Sequence, residues 1–227
     1  MWEEGGKKTA RDVRQHATGL SSATETVEET RSPRGIIRFA GAVKQWPPSV
    51  DMARPRVCPE CGQPAFEGGR VRIYGHGLVR RQQRGPPAPG QAPATEVLLC
   101  RRYLCTGCNA VLTVLPASAQ ARKHFSGAAI ALALTLWGLC GLSAARVREH
   151  VSDWVHTGAA ARGWRSLTRW AAQVAGGELF VALGMRAQGS PQEVAARAAQ
   201  ALCGTCPAEV RRQPLPHQAF AGAHHVS

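Results

Sequence analysis

Four of the eight cysteines in this 227-residue chain stand in two pairs, Cys58-Pro59-Glu60-Cys61-Gly62 and Cys105-Thr106-Gly107-Cys108-Asn109. Two residues between paired thiols let both sulfurs reach one ion from a single tight turn. Two such turns supply the four soft ligands of a closed tetrahedral zinc site. Gly62 and Asn109, which follow the second cysteine of each pair, are residue types that accept the left-handed backbone such a turn needs. A redox dithiol would sit near a βαβ pattern, and none is present. The expected ligands of a structural Zn2+ are therefore Cys58, Cys61, Cys105 and Cys108. Cys100 is off this spacing and reads as a small buried apolar residue. Cys203 and Cys206, with His217, His224 and His225 beyond, miss the finger spacing. Pro207, Pro214 and Pro216 argue against a helix carrying those histidines.

The pairs are far apart in sequence, so what lies between them must bring them together. Residues 70–81 and 96–104 alternate polar and apolar side chains as strands do. Between them, residues 85–94 hold four prolines and two glycines, which stop a sheet and suit a loop tip. A third strand is expected over 110–115. Two cysteine turns joined by a hairpin and followed by a strand make a zinc ribbon, and Pro116 ends the sheet.

The formal net charge is +13, which calls for an anionic partner. The excess is greatest over residues 56–125, at +7. Arg80, Arg81, Arg101 and Arg102 lie on the expected hairpin strands, and arginine suits phosphate and base-edge hydrogen bonding. Residues 1–45 are polar without periodicity and are expected to be a disordered extension. No apolar leader opens the chain, and thiols held by metal fit a reducing cytosol.

Residues 127–145 carry no charge, nearly the length a bilayer requires. Alanine content, glycines at 138 and 141 and a capping serine at 143 favour a core helix and a turn instead. Three helices are expected: 126–139, then 144–151 capped by Ser143, then 164–175. Arg146 and Glu149 should face outward on the second. On the third, Trp164, Leu167, Ala171 and Val174 form the inward stripe, helped by Trp170, and Arg165, Thr168 and Arg169 face out. Arginines with a small hydroxyl on one face suit a major-groove reader. A further helix, opened by Ser190-Pro191-Gln192-Glu193, should run to about residue 202.

The order CPECG, IYGHGLVRR, RRYLCTGCN, TVLP, LWGLCGLSAARVREHVS and GWRSLTRWA resembles a bacterial insertion-element family. Its members are transposase-associated proteins with a zinc ribbon and a helix-turn-helix. The likeness covers roughly residues 46–225, including the AFAGAHH ending, and departs in the long polar N-terminus. It implies that the four cysteines hold zinc and that Arg165 and Arg169 face DNA. It also implies a separately encoded catalytic transposase.

The expected fold class is α+β: a small three-stranded zinc ribbon (46–122), a trihelical helix-turn-helix domain (123–176), and short C-terminal helices with a tail (177–227), after the disordered extension (1–45). The expected partners are double-stranded DNA, the transposase and a second copy of the chain in a homodimer; no membrane partner is expected. The protein should be cytoplasmic and nucleoid-associated. It is not expected to be an enzyme. After the third helix only Glu178, Glu193 and Glu209 remain, too few carboxylates and too little chain for two-metal strand transfer. Two other readings stand beside this one. A transcriptional regulator would select promoter sites rather than paired element ends, and a protein-interaction ribbon would bind DNA weakly.

Overall fold

The computed structural model describes residues 31–32, 35–39, 45–158 and 162–226. Its fold is mixed α and β. Among the described residues, a five-stranded sheet orders β1 (Arg31–Ser32), β2 (Ile36–Phe39), β7 (Val111–Pro116), β6 (Ala94–Cys105) and β5 (Ile73–Gly85) and precedes a bundle of five α-helices. A separate two-stranded sheet pairs β3 (Phe66–Glu67) with β4 (Arg70–Val71).

The hairpin expected between the cysteine pairs is present and longer than its alternation suggests. β5 (Ile73–Gly85) runs antiparallel to β6 (Ala94–Cys105), from Ile73 opposite Cys105 to Gly85 opposite Ala94, with a one-residue register shift between Gly75 and Leu78. At about 3.3 Å per residue this ladder spans about 40 Å. β7 (Val111–Pro116) returns along β6, with Leu104 opposite Val111. Cys100 is buried with Leu115 and Ala119, as an apolar residue would be.

The stretch expected to be a disordered extension contributes to the sheet. β2 (Ile36–Phe39) runs parallel to β7, and β1 (Arg31–Ser32) pairs antiparallel to β2. Ile37 and Phe39 are buried among Cys58, Ile73, Tyr103, Cys105 and Leu112. The alternation Ile37-Arg38-Phe39 is the local reason, since it presents two large apolar side chains to one face. The expectation is corrected for these residues; the remainder of 1–45, apart from Gly35 and Gln45, lies outside the described residues.

In the helical part, α1 (Gly127–Gly138) is capped by the Ser126 hydroxyl, which accepts from the Ala129 N–H. It is buried on every side from Gly127 to Thr135 rather than along one stripe. A helix apolar all round belongs at the centre of a core, and α1 is surrounded here by α2 (Ala144–Val151), α4 (Pro191–Gly204) and α5 (Leu215–Val226). Among the described residues no helix is long and apolar enough to cross a membrane. Gly138, expected to begin the turn, is the last helical residue, and α4 crosses there so closely that a Cβ would strike the backbone of Ala195 and Ala196.

α3 (Arg165–Ala175) buries Leu167, Trp170, Ala171 and Val174, as its pattern predicts. α4 carries the predicted capping box between Ser190 and Glu193. α5 corrects one expectation. Pro216 falls in the first helical turn, where its missing N–H would have no partner in any case, so the helix bearing His217, His224 and His225 forms. One apolar core holds residues from Ala128 to Val226, and so runs without a break across positions 176 and 177.

The hairpin tip is seated on this bundle. The Arg84 N–H donates to the His124 carbonyl (2.6 Å) and its carbonyl accepts from the Ser126 N–H (3.0 Å). Gly85, at φ +139, lies against Ala129 with no room for a side chain. The Arg84 guanidinium stacks on Trp154, 3.7 Å from the ring centroid, and Thr95 donates to Asp153. The cysteine end and the helical end are thus joined through one hairpin, whose ladder is interrupted by a single bulge between Gly75 and Leu78.

Candidate metal centre and basic surface

The two cysteine turns are copies of one hydrogen-bonded design. In the first, the Gly62 N–H donates to the Cys58 carbonyl (2.9 Å), and the Cys58 N–H donates to the Gln63 carbonyl (2.8 Å). In the second, the Asn109 N–H donates to the Cys105 carbonyl (2.8 Å), and the Cys105 N–H to the Ala110 carbonyl (3.0 Å). Gly62 and Asn109 take φ of 75° and 57°, the left-handed backbone expected of both. The antiparallel ladder delivers Cys105 opposite Ile73, and the Thr106 N–H donates to the Arg72 carbonyl (2.9 Å), which fixes the second turn to the start of β5.

These turns bring all four sulfurs within 4.8 Å of one another. Cys58 Sγ and Cys108 Sγ are 3.7 Å apart, as are Cys61 Sγ and Cys105 Sγ. Such separations exclude disulfides, whose sulfurs lie about 2.0 Å apart, and suit shared coordination. Cys58 and Cys105 are buried and Cys61 and Cys108 exposed, so the site opens at the surface with an apolar floor. Burial pushes the Cys58 thiol up to about 12. At Cys105 burial also pulls upward, but the Cys108 and Gly107 amides and the Cys58 and Cys61 thiols outweigh it, and the thiol falls to about 7. The amides aimed at this sulfur favour the thiolate that a metal requires. The four cysteines are placed to hold one metal ion. Among the described residues they are the one cluster of three or more ligating side chains this close together.

The floor holds residues that sequence reasoning missed. Ile37 and Phe39 of β2 pack there, with Tyr103, whose hydroxyl donates to the Val50 carbonyl (2.7 Å). The parallel pairing of β2 with β7 brings together residues nearly eighty positions apart, and only the short Ile37-Arg38-Phe39 alternation hinted at it.

The arginines expected to meet DNA fall into two groups. Arg81 donates to the Gln120 (2.5 Å) and Lys123 (2.6 Å) carbonyls, and burial depresses its pKa. Arg101 donates to the Pro48 carbonyl. Both guanidiniums are engaged in holding the fold. Arg102 is half-buried, and Arg146 is exposed but paired with Glu149 at 2.6 Å. Arg80 is exposed on β5. Arg165, Thr168 and Arg169 share the exposed face of α3, and among the described residues neither arginine has an ion-pair partner. Arg148 on α2, which the sequence did not single out, is buried and donates to the Gly163 carbonyl (2.9 Å). It ties α2 to Gly163, two residues before α3.

No protein-family model matches the chain, and no curated protein or solved structure is similar to it.

Proposed function

We propose that the chain is a zinc-ribbon protein that binds double-stranded DNA, as a non-catalytic accessory of a mobile element's transposase. The observation that carries this reading is the exposed basic face of α3, Arg165 and Arg169 with Thr168, whose hydroxyl donates to the Arg165 carbonyl (3.0 Å), on the same chain as the four-thiol centre. Zinc suits that centre. With Zn–S bonds of about 2.3 Å, the edge of a tetrahedron is about 3.8 Å, against the 3.7 Å between paired sulfurs. Four thiolates fill the shell and leave no position for an activated water, so the metal's role is structural. It fixes the cysteine end of a basic hairpin, while α3 reads base edges from the major groove. In this reading α1 to α3 form a trihelical DNA reader. Arg148, bonded to the Gly163 carbonyl, braces the approach to α3.

The link to insertion elements rests on the resemblance of the motifs. Paired inverted element ends would engage two copies of the chain beside a separately encoded catalytic partner, and such a protein would work at the nucleoid. The test is duplex binding by the full-length, zinc-loaded chain, with its affinity compared across element ends, promoters and random sequence. Tight binding that prefers element ends supports the proposal; a preference for promoters makes the chain a regulator; no duplex binding ends it.

A second reading, a ribbon that docks a protein, is favoured by Leu78, Val97 and Leu99. They are 40–51% exposed and share one face of the hairpin with Arg80 and Arg101. On that reading, removing the α3 arginines leaves weak DNA binding unchanged.

A further inference from the structure

The bend that follows the sheet, residues 117–125, has no part in the reading above, yet it carries unusual backbone. Arg122 sits at φ +56, a left-handed conformation that a long L side chain rarely adopts and that surrounding contacts must impose. Those contacts come from two directions. On one side Arg81 holds the carbonyls of Gln120 (2.5 Å) and Lys123 (2.6 Å), and the Arg84 N–H holds that of His124 (2.6 Å). On the other, the Phe125 ring packs edge-on to Trp164 (5.6 Å) and Trp170 (5.2 Å). The bend is therefore clamped between the hairpin and α3.

This clamp sets cations side by side. Phe125, packed on the Trp164 and Trp170 rings, brings the bend against α3, and Lys123 lies within charge–charge range of Arg169 and Arg122. Burial holds the Lys123 ammonium below the ordinary lysine range; Glu178 opposes this, and Arg169 and Arg122 add to it. Three cations share this corner with one carboxylate. Like charges crowded around a strained residue do not stabilise a fold, and a bound anion relieves the repulsion.

We propose that the bend and α3 together form a phosphate clamp for duplex DNA, in which Arg122 and Lys123 grip the backbone beside the groove that α3 enters. This rests on the proposed DNA binding and adds to it a positioning contact that carries no sequence information. Placed next to a reading helix, such a contact fixes its register.

The test uses the full-length, metal-loaded chain with a mixed-sequence duplex and with a preferred one, titrated between about 50 and 200 mM salt. Arg122→Gly combined with Lys123→Gln should lower the slope of log K against log salt by about 1.8, or about 0.9 for each phosphate no longer neutralised. Both duplexes should weaken by the same factor. Arg122→Gly alone should lower the slope by about 0.9 and melt at or above the wild-type temperature, because glycine suits φ +56. It keeps the test available if the double variant does not fold. An unchanged slope in a chain that binds duplex, with sequence preference lost in Arg165→Ala with Arg169→Ala, overturns the clamp and leaves the DNA reading intact. If the wild-type chain binds no duplex, both fall.

Discussion

Cys61 and Cys105 stand 44 residues apart in sequence, yet their Sγ atoms lie 3.7 Å apart. The β5–β6 ladder brings them together by placing Cys105 opposite Ile73, at the end of the hairpin farthest from its tip. The same ladder ends at Gly85 against α1. A metal held at one end would therefore act on a frame whose other end touches the helices. How each residue along this frame is held decides what its substitution should do.

Arg165 and Arg169 are exposed and, among the described residues, carry no ion pair, so their loss should not unfold the chain. Arg165→Ala with Arg169→Ala should leave the melting temperature within about 2–4 °C, since surface changes usually lie within about 0.5 kcal/mol each. Discrimination between preferred and random duplexes should fall by about 1–3 kcal/mol for each base pair that an arginine no longer reads. Competition binding reads this directly; an equal loss on all sequences would contradict base reading by α3.

Arg81 and Arg80 are neighbours with opposite consequences. Arg81→Ala leaves the carbonyls of Gln120 and Lys123 without their charged donor and should cost about 2–4 kcal/mol in denaturant unfolding. Arg80→Ala, at an exposed position, should cost less than about 0.5 kcal/mol and show itself in DNA affinity. Equal stabilities for the two variants would remove the structural role given to Arg81.

Gly138→Ala tests the crossing of α1 and α4. Alanine in a helix is ordinarily better than glycine by about 1 kcal/mol. Here its Cβ meets the backbone of Ala195 and Ala196, which has no flexible end to move aside. The substitution should destabilise by about 1–3 kcal/mol, and a stabilised variant in thermal melting would show that the helices do not approach this closely.

Phe39→Ala asks whether β2 belongs to the floor beneath the sulfurs. It should cost about 3–5 kcal/mol and weaken metal retention against a chelator, although Phe39 lies nineteen residues before the first ligand. Wild-type stability would place β2 outside the working fold.

What the sequence made legible was whatever is decided locally. Ser143 and Ser190 mark two helix starts because a side-chain cap acts within one turn, and Ser126 proves to cap a third. The cysteine turns are legible for the same reason: Gly62 and Asn109 close each turn within five residues. Less visible were the features set by distant partners. The parallel pairing of β2 with β7 has only a short apolar alternation as its local sign. The burial of α1 on all sides depends on α4 and α5, which lie some sixty and ninety residues later. Pro216 reads as a breaker until its place in the first helical turn is known. Arg148 resembles any surface arginine until the Gly163 carbonyl is found beside it. Arg81 and Arg101, grouped by charge with the DNA contacts, turn out to hold backbone carbonyls, because a charge count cannot distinguish a solvated guanidinium from a buried one.

The most direct measurement is the metal content of the full-length chain, read by native mass spectrometry and elemental analysis beside its Cys105→Ser variant. One zinc ion per wild-type chain is expected, with Cys58, Cys61, Cys105 and Cys108 protected from alkylation until the metal is chelated. In the variant the ion should be lost and the cysteine end of the hairpin should melt early, because a structural zinc site contributes on the order of 10 kcal/mol to such a fold. A metal-free wild-type chain with four freely reactive thiols, or a variant that keeps its ion and its melting curve, would contradict the account.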